Sequence, residues 1–235
     1  MKPMLRSLAL LLGLAVTAAA GEPWQDALAQ MPLHTPPAAF TRTNTVSLLL
    51  DAFQSNRVVK AFIFMPGATD EIYFFKRVNV PFSAGPTPTL LDALTTLTNH
   101  THIQATFHAP FLLLHTTEDW LDGFATVTRP QTKRKLESRI VHGRLCYNDA
   151  DWDTVFPELQ GHLAVTLHPG VNVEDTWHFY RHTFSAYELN EWELLETMAL
   201  ADKTVFRLDR LNVYFFGDRR IGVVPDQQSI RVTDP

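Results

Sequence analysis

The feature that most constrains this chain is a motif that occurs twice, about a hundred residues apart, which is the kind of fixed separation that indicates a duplicated unit. Residues 62–75 read FIFMPGATDEIYFF and residues 165–180 read VTLHPGVNVEDTWHFY. Each copy therefore has an apolar run, a Pro-Gly turn, an acidic loop and an aromatic run. A Leu-Leu-acid helix follows in each copy, at Leu90 and at Leu194. The repetition predicts two related units.

Hydrophobic periodicity predicts the same order of elements in each copy: a helix, two strands, a second helix and a hairpin. The predicted elements are helices beginning at Val46, Leu90, Asp151 and Trp192, strands over 58–65, 72–80, 163–167 and 177–184, and hairpins over 102–115 and 205–216. Such a unit buries one face of its sheet under its helices. We therefore predict an α+β fold of two duplicated small modules, each a mixed sheet with about two helices packed on one face.

The N-terminus and the repeat together predict the domain organisation. Lys2 and Arg6 precede an apolar run that ends in small residues, which is the pattern of a secretory signal peptide cut after Ala20. No later run approaches the roughly twenty apolar residues that a spanning helix needs. We predict secretion through a Sec-type signal to the periplasm. The predicted segments are a signal peptide (1–20), an extended proline-rich lead (21–43), module one (44–130), a basic linker (131–149) and module two (150–235).

Composition excludes some classes of protein. Cys146 is the single cysteine, so no internal disulfide can form and the fold must depend on its hydrophobic core. The formal net charge of −5 does not favour a nucleic-acid partner. Lys133, Arg134 and Lys135 form a basic cluster, which is either a solvated part of the linker or a peripheral contact with an anionic membrane or polymer.

The first copy resembles the second half of the secretin and TonB N-terminal short domain, in which a helix of pattern L-x-x-A-L-x-x-L leads into T-x-L and a hairpin. The matching residues here are Leu90, Ala93, Leu94, Leu97, Thr101 and Ile103 in the first copy and Leu194, Met198 and Ala201 in the second. His100 and His102 stand where that family commonly has glycines. The resemblance implies a periplasmic interaction module without catalytic residues.

The ten histidines raise the alternative of a metal-binding protein. His100, His102 and His108 share one parity, and His178 and His182 would share a face of an extended strand. Zinc sites need three or four converging ligands, commonly with a carboxylate among them, and neither set has an acidic residue at a matching position. We therefore predict no metal ligand and no cofactor.

Two further residue sets raise the alternative of a hydrolase. Glu188, Glu191, Glu193 and Glu196 could supply a carboxylate pair, although acids at a helix start also complement the helix dipole. Cys146 and His142 could imitate a nucleophile and a base. The common hydrolase and nucleotide-binding motifs are absent from the chain. We therefore predict no catalytic residue.

Bulky rings are predicted on both faces of one strand in each copy, which makes Phe74, Phe75, Phe179 and Tyr180 the predicted interaction surface. One face must meet the helices, and the other needs cover from the sister module, an identical chain or an envelope protein. The predicted function is non-enzymatic binding or scaffolding in a cell-envelope assembly. The alternatives are a metal-binding protein, a hydrolase that uses His and Glu residues, and a small-ligand carrier at the inter-module interface.

Overall fold

A computed structural model describes residues 22–33, 45–65, 88–115, 130–169, 181–202 and 204–216 of the chain. The helices in these ranges are α1 (Pro23–Ala29), α2 (Thr45–Ala52), α3 (Leu90–His100), α4 (Pro130–Glu137), α5 (Trp152–His162) and α6 (Glu191–Asp202). The strands are β1 (Ala61–Met65), β2 (Gln104–His108), β3 (Phe111–His115), β4 (Arg144–Asp151), β5 (Thr166–Pro169), β6 (Arg181–Tyr187), β7 (Val205–Asp209) and β8 (Asn212–Phe216). The predicted α+β class is confirmed. None of the described helices combines the length and the apolar character that crossing a membrane requires.

The larger sheet has five strands in the order β2-β3-β1-β6-β4. Its central strand, β1, runs parallel to β3 and antiparallel to β6. All five residues of β1 are buried, which is typical of a strand that is covered on both faces. The edge strand β4 instead alternates buried Leu145 and Tyr147 with exposed Arg144 and Cys146.

Successive side chains of β1 reach two different cores because side chains alternate between the faces of a strand. Phe62 packs in a core with Leu28 of α1, Leu49 of α2 and Leu97 of α3. Ile63, the next residue, belongs to a second core that also contains residues of α5 and α6. Helices therefore cover both faces of the larger sheet, whereas the sequence predicted helices on one face only.

The smaller sheet has three strands in the order β5-β8-β7. Its inner face carries Phe206 and Phe215, both buried. The Phe206 ring centroid lies 5.2 Å from that of Trp192 in α6, and the Phe215 ring centroid lies 5.3 Å from that of Trp152 in α5. The helices α5 and α6 thus connect the smaller sheet to the larger one through shared apolar contacts.

Helix α6 lies between the two sheets. It contacts β1 and β6 of the larger sheet and β7 of the smaller one. Within α6 every residue except the half-buried Glu193 and Glu196 is buried, so no side of the helix is fully exposed to water. Leu194, Leu195 and Met198 are each 0% exposed. Burial of one such large apolar side chain stabilises the fold by about 1.5 to 3 kcal/mol.

Part of the predicted order of elements recurs within the described residues, while the predicted strand over 72–80 lies outside them. The set β1, α3 and the β2–β3 hairpin has a counterpart in β5, α6 and the β7–β8 hairpin, and in both sets the first strand runs parallel to the last. Two duplicated modules with separate sheets are not confirmed. Strand β6 of the second half lies between β1 and β4 in the larger sheet, and one core contains residues of both halves.

Two predicted connecting segments contain regular structure. Part of the predicted extended lead forms α1, because its buried Trp24 and Leu28 pack in the core beneath the larger sheet. The predicted basic linker contains α4 and most of β4, because Leu136, Leu145 and Tyr147 are apolar anchors within a polar stretch. Sparse apolar residues of this kind do not produce a periodic signal.

We expect residues 22–130 expressed alone to aggregate or to unfold without a cooperative transition. That fragment lacks β6 and α6, so one long edge of β1 and the face that carries Ile63 and Leu113 would be exposed to water. Urea unfolding followed by circular dichroism measures this, with the chain from residue 21 to its end as the control. A monomeric fragment with a single sharp transition would contradict the shared core.

Candidate functional site

The predicted interaction surface lies outside the described residues. Phe74 and Phe75 fall within 66–87, and Phe179 and Tyr180 fall within 170–180. This surface stays a prediction.

The structure separates the histidines that suggested a metal site. His100, His102 and His108 are exposed, His178 lies outside the described ranges, and His182 is buried. No group of three or more His, Cys, Asp or Glu side chains in the described ranges could hold a metal ion. The described histidines therefore do not converge as the metal-binding alternative requires.

His182 forms a buried pair with Asp202. His182 lies on β6, Asp202 is the last residue of α6, and the imidazole Nε2 is 2.9 Å from the carboxylate Oδ2. Both side chains are 0% exposed. The ring of Trp152, the first residue of α5, meets the imidazole edge-on with 4.9 Å between the ring centroids. One polar contact and one ring contact thus join three elements inside the core between the sheets.

Sequence reasoning missed this pair, because it found no acidic residue that matched either histidine set. Only the packing of α6 against β6 brings Asp202 to His182. The available signal was an acid at the C-terminal end of an apolar helix, where a carboxylate opposes the helix dipole and needs a partner.

Burial raises the pKa of the Asp202 carboxyl, and the attraction to His182 and the interaction with Trp152 offset this rise only in part. Such a pair stabilises the fold little more than apolar residues at both positions would. Removal of one partner alone, however, leaves an unpaired buried charge and lowers the free energy of unfolding. Neither side chain is exposed to a solute in this structure. The geometry therefore suits a polar contact that holds β6, α5 and α6 in register.

The acids at the start of α6 bind structural partners. Glu193 Oε2 accepts from the Asn190 backbone N–H and Asn190 Oδ1 accepts from the Glu193 backbone N–H, both at 2.8 Å, which is a capping box. Lys60 Nζ lies 2.9 Å from both carboxylate oxygens of Glu193. Glu191 Oε1 pairs with Arg139 Nε at 2.8 Å. These contacts anchor the helix start, as the dipole interpretation of these acids expects.

Glu196 and Glu188 complete the set of acids that raised the hydrolase alternative. Glu196 Oε1 accepts from the Trp192 indole N–H at 2.7 Å. Burial raises the pKa of Glu196, while Trp192 and Lys133 act in the opposite direction. Glu188 is exposed and has a positive φ of 46° in the loop before α6. These contacts make Glu196 part of the packing around Trp192.

The basic cluster is partly engaged within the chain. Lys133 Nζ lies 4.8 Å from the Trp192 ring centroid, a cation–π distance, and 3.8 Å from Glu137 Oε1. Arg134 and Lys135 are exposed on α4. A peripheral contact through this cluster would therefore depend mainly on Arg134 and Lys135.

Cys146 is exposed on the edge strand β4. Its neighbour Arg144 donates through Nη2 to the Cys146 Sγ at 3.4 Å. His142 is also exposed, in the loop before β4, and no hydrogen bond joins these two described side chains. A nucleophile and base arrangement is therefore not formed here.

The surface that the sequence did not indicate is the outer side of the smaller sheet, which we call the open face. Its residues are half-buried or exposed, whereas the residues that alternate with them are buried against α5 and α6. Among the described residues, the open face belongs to neither hydrophobic core. The open face consists of Thr166, His168, Val205, Arg207, Asp209, Asn212 and Tyr214.

A row of three polar or aromatic side chains crosses the centre of the open face. His168 and Arg207 are the register partners of Tyr214 on either side. The His168 and Tyr214 rings are stacked with their centroids 4.9 Å apart and 17° between the planes. His168 Nε2 also lies 2.9 Å from Asn212 Oδ1. The imidazole and the phenol are thus held in one orientation, with a guanidinium beside them.

Comparison of the chain with models of protein families, with curated proteins and with solved structures found no match.

We expect His182→Leu to destabilise the protein more at pH 7 than at pH 5. The variant leaves Asp202 as an unpaired buried carboxylate, which costs about 3 to 5 kcal/mol, and it removes the attraction that lowers the Asp202 pKa. The folded-state pKa then lies further above the unfolded value of about 3.9. The folded state of the variant therefore binds a proton at Asp202 more strongly than the unfolded state does. The free energy of unfolding of the variant rises as the pH falls from 7 towards the unfolded pKa.

Urea unfolding at both pH values measures this effect. The control is the double variant His182→Leu/Asp202→Leu, which has no buried charge at this position and should recover most of the lost stability. The difference between the single and the double variant isolates Asp202 and should shrink at pH 5. A difference that is the same at pH 5 and pH 7 would contradict a buried, ionised Asp202.

Proposed function

We propose that this chain is a non-enzymatic binding or scaffolding protein that is exported from the cytoplasm and works in a cell-envelope assembly. The observation that carries the proposal is the open face. Helices cover both faces of the larger sheet, but the smaller sheet has described helices on its inner face only. Its outer face presents the ordered row of His168, Tyr214 and Arg207. Oriented aromatic side chains lose little conformational entropy on binding and are frequent anchors of protein interfaces.

The surroundings of the titratable side chains support binding over catalysis. Glu191, Glu193 and Glu196 each bind a neighbouring side chain that fixes a helix. His182 and Asp202 pair with each other and are not exposed. A catalytic group needs access to a substrate at hydrogen-bond distance, and this pair has no such access in the structure.

The location in the envelope rests on the sequence. Lys2 and Arg6, the apolar run after them and the small residues up to Gly21 form a signal-peptide pattern. The resemblance of the first copy to the secretin and TonB N-terminal short domain agrees with a periplasmic interaction module. The partner in this proposal is an envelope protein or a second copy of the chain.

We expect the full chain, expressed in a Gram-negative host, to be found in the periplasm with Gly21 as its first residue. Mass spectrometry of the intact protein from the periplasmic fraction measures this. Leu11→Arg interrupts the apolar run of the signal and should keep the uncut protein in the cytoplasm, while Ser7→Thr is a matched control that leaves the run intact. Retention of an uncut wild-type chain in the cytoplasm would contradict the location.

A photoreactive benzoylphenylalanine at Thr166 tests binding at the open face. Thr166 is exposed and lies one row from Tyr214, so the probe leaves the central row unchanged. We expect irradiation of the source cells to give a specific covalent adduct from this position. The same probe at Asn99, exposed on α3 beyond the opposite side of the larger sheet, is the control and should give none. Equal labelling from both positions, or no adduct from Thr166, would contradict the proposal.

A further inference from the structure

We propose that the open face binds an acidic segment of a partner protein, with Arg207 as the cation that receives a carboxylate of that segment. This inference rests on the proposed function and names the chemistry of the partner. Two features carry it: Arg207, which forms no salt bridge with any described residue, and the fixed aromatic row beside it.

Arg207 differs from the other half-buried basic side chains of the described residues. Lys60 pairs with Glu193, Lys133 with Glu137, and Arg181 with Asp151. Arg207 is half-buried as well, but it forms no salt bridge with any described residue. The Arg207 side chain is partly covered by its neighbours on the sheet, and its guanidinium has no acid partner among the described residues. A carboxylate supplied from outside would complete the arrangement that the other half-buried cations have within the chain, with the bidentate geometry that arginine favours.

The aromatic row gives the acidic segment a defined place to lie. The Tyr214 side chain stands next to Arg207 in the antiparallel register, and the stacked His168 ring is held beside it through Asn212. Apolar parts of a bound segment can pack on this row at a small cost in conformational entropy, because the His168 and Tyr214 side chains already have fixed orientations. Asp209 lies on the same face, two residues from Arg207 towards the hairpin turn. Its negative charge repels a carboxylate near the hairpin turn. We therefore expect the carboxylate of the bound segment to lie at Arg207.

The small number of basic side chains on the open face favours a short acidic protein segment over a nucleic acid. Binding along a phosphate backbone requires several basic side chains on one surface. The open face has one arginine. One guanidinium matches one carboxylate, a requirement that a short acidic stretch of protein meets.

Photo-crosslinking from Thr166 in the source cells also tests this inference, combined with charge variants of the full chain. We expect Arg207→Gln to lower the yield of the Thr166 adduct about tenfold or more, because the bond between the guanidinium and a carboxylate is lost. Arg210→Gln is the matched control, since Arg210 is exposed in the turn of the same hairpin, and it should leave the yield unchanged. Asp209→Asn should raise the yield. Mass spectrometry of the adduct should identify a protein segment rich in Asp and Glu.

The outcomes separate this inference from the proposed function. An adduct whose yield does not depend on Arg207, or a crosslinked segment without acidic residues, would overturn the inference and leave the open face as a binding surface. An adduct with nucleic acid, with lipid, with a second copy or with another part of this same chain would also overturn the acidic partner. No adduct at all would overturn both proposals. If Arg210→Gln lowers the adduct yield as much as Arg207→Gln does, the effect comes from the net charge of the chain. That result would contradict a specific contact between Arg207 and a carboxylate.

Discussion

The burial of α6 between the two sheets is the constraint on which the rest of the structure depends. Leu195, Met198 and Ala199 are fully buried, and a helix on which only Glu193 and Glu196 are partly exposed must be enclosed by other elements. The larger sheet encloses it through β1 and β6, and the smaller sheet through β7. The two halves of the chain thus share one core because a single helix needs contacts from both.

Enclosure of α6 determines the environment of its charged ends. The first turn of a helix leaves backbone N–H groups without internal partners, and the Asn190–Glu193 capping box and the Arg139–Glu191 ion pair surround that turn. At the other end, Asp202 is carried into the core with the last turn. His182 supplies a partner for its charge. The contacts of Glu191, Glu193 and Asp202 therefore meet the polar requirements of one buried helix.

The same arrangement leaves one sheet face without a described helix over it. Helices α5 and α6 lie on the inner side of the smaller sheet, and the alternation of side chains along its strands directs Arg207 and Tyr214 outwards. The described outer-side residues belong to neither hydrophobic core, so we expect substitutions there to cost less stability than substitutions in the core. The preset His168–Tyr214 stack and Arg207, which has no salt bridge among the described residues, are the basis of the proposal that this face binds an acidic segment.

The sequence by itself determined the α+β class and the recurring order of strand, helix and hairpin, because hydrophobic periodicity depends on neighbouring residues. Only the tertiary structure decided that β6 joins the larger sheet, that the predicted linker contributes the edge strand β4, and that Asp202 meets His182. These depend on which apolar surfaces cover one another over long distances in the chain. The alternation that places a side chain on one face of a strand is local, but whether that face is covered or open depends on the packing of α6.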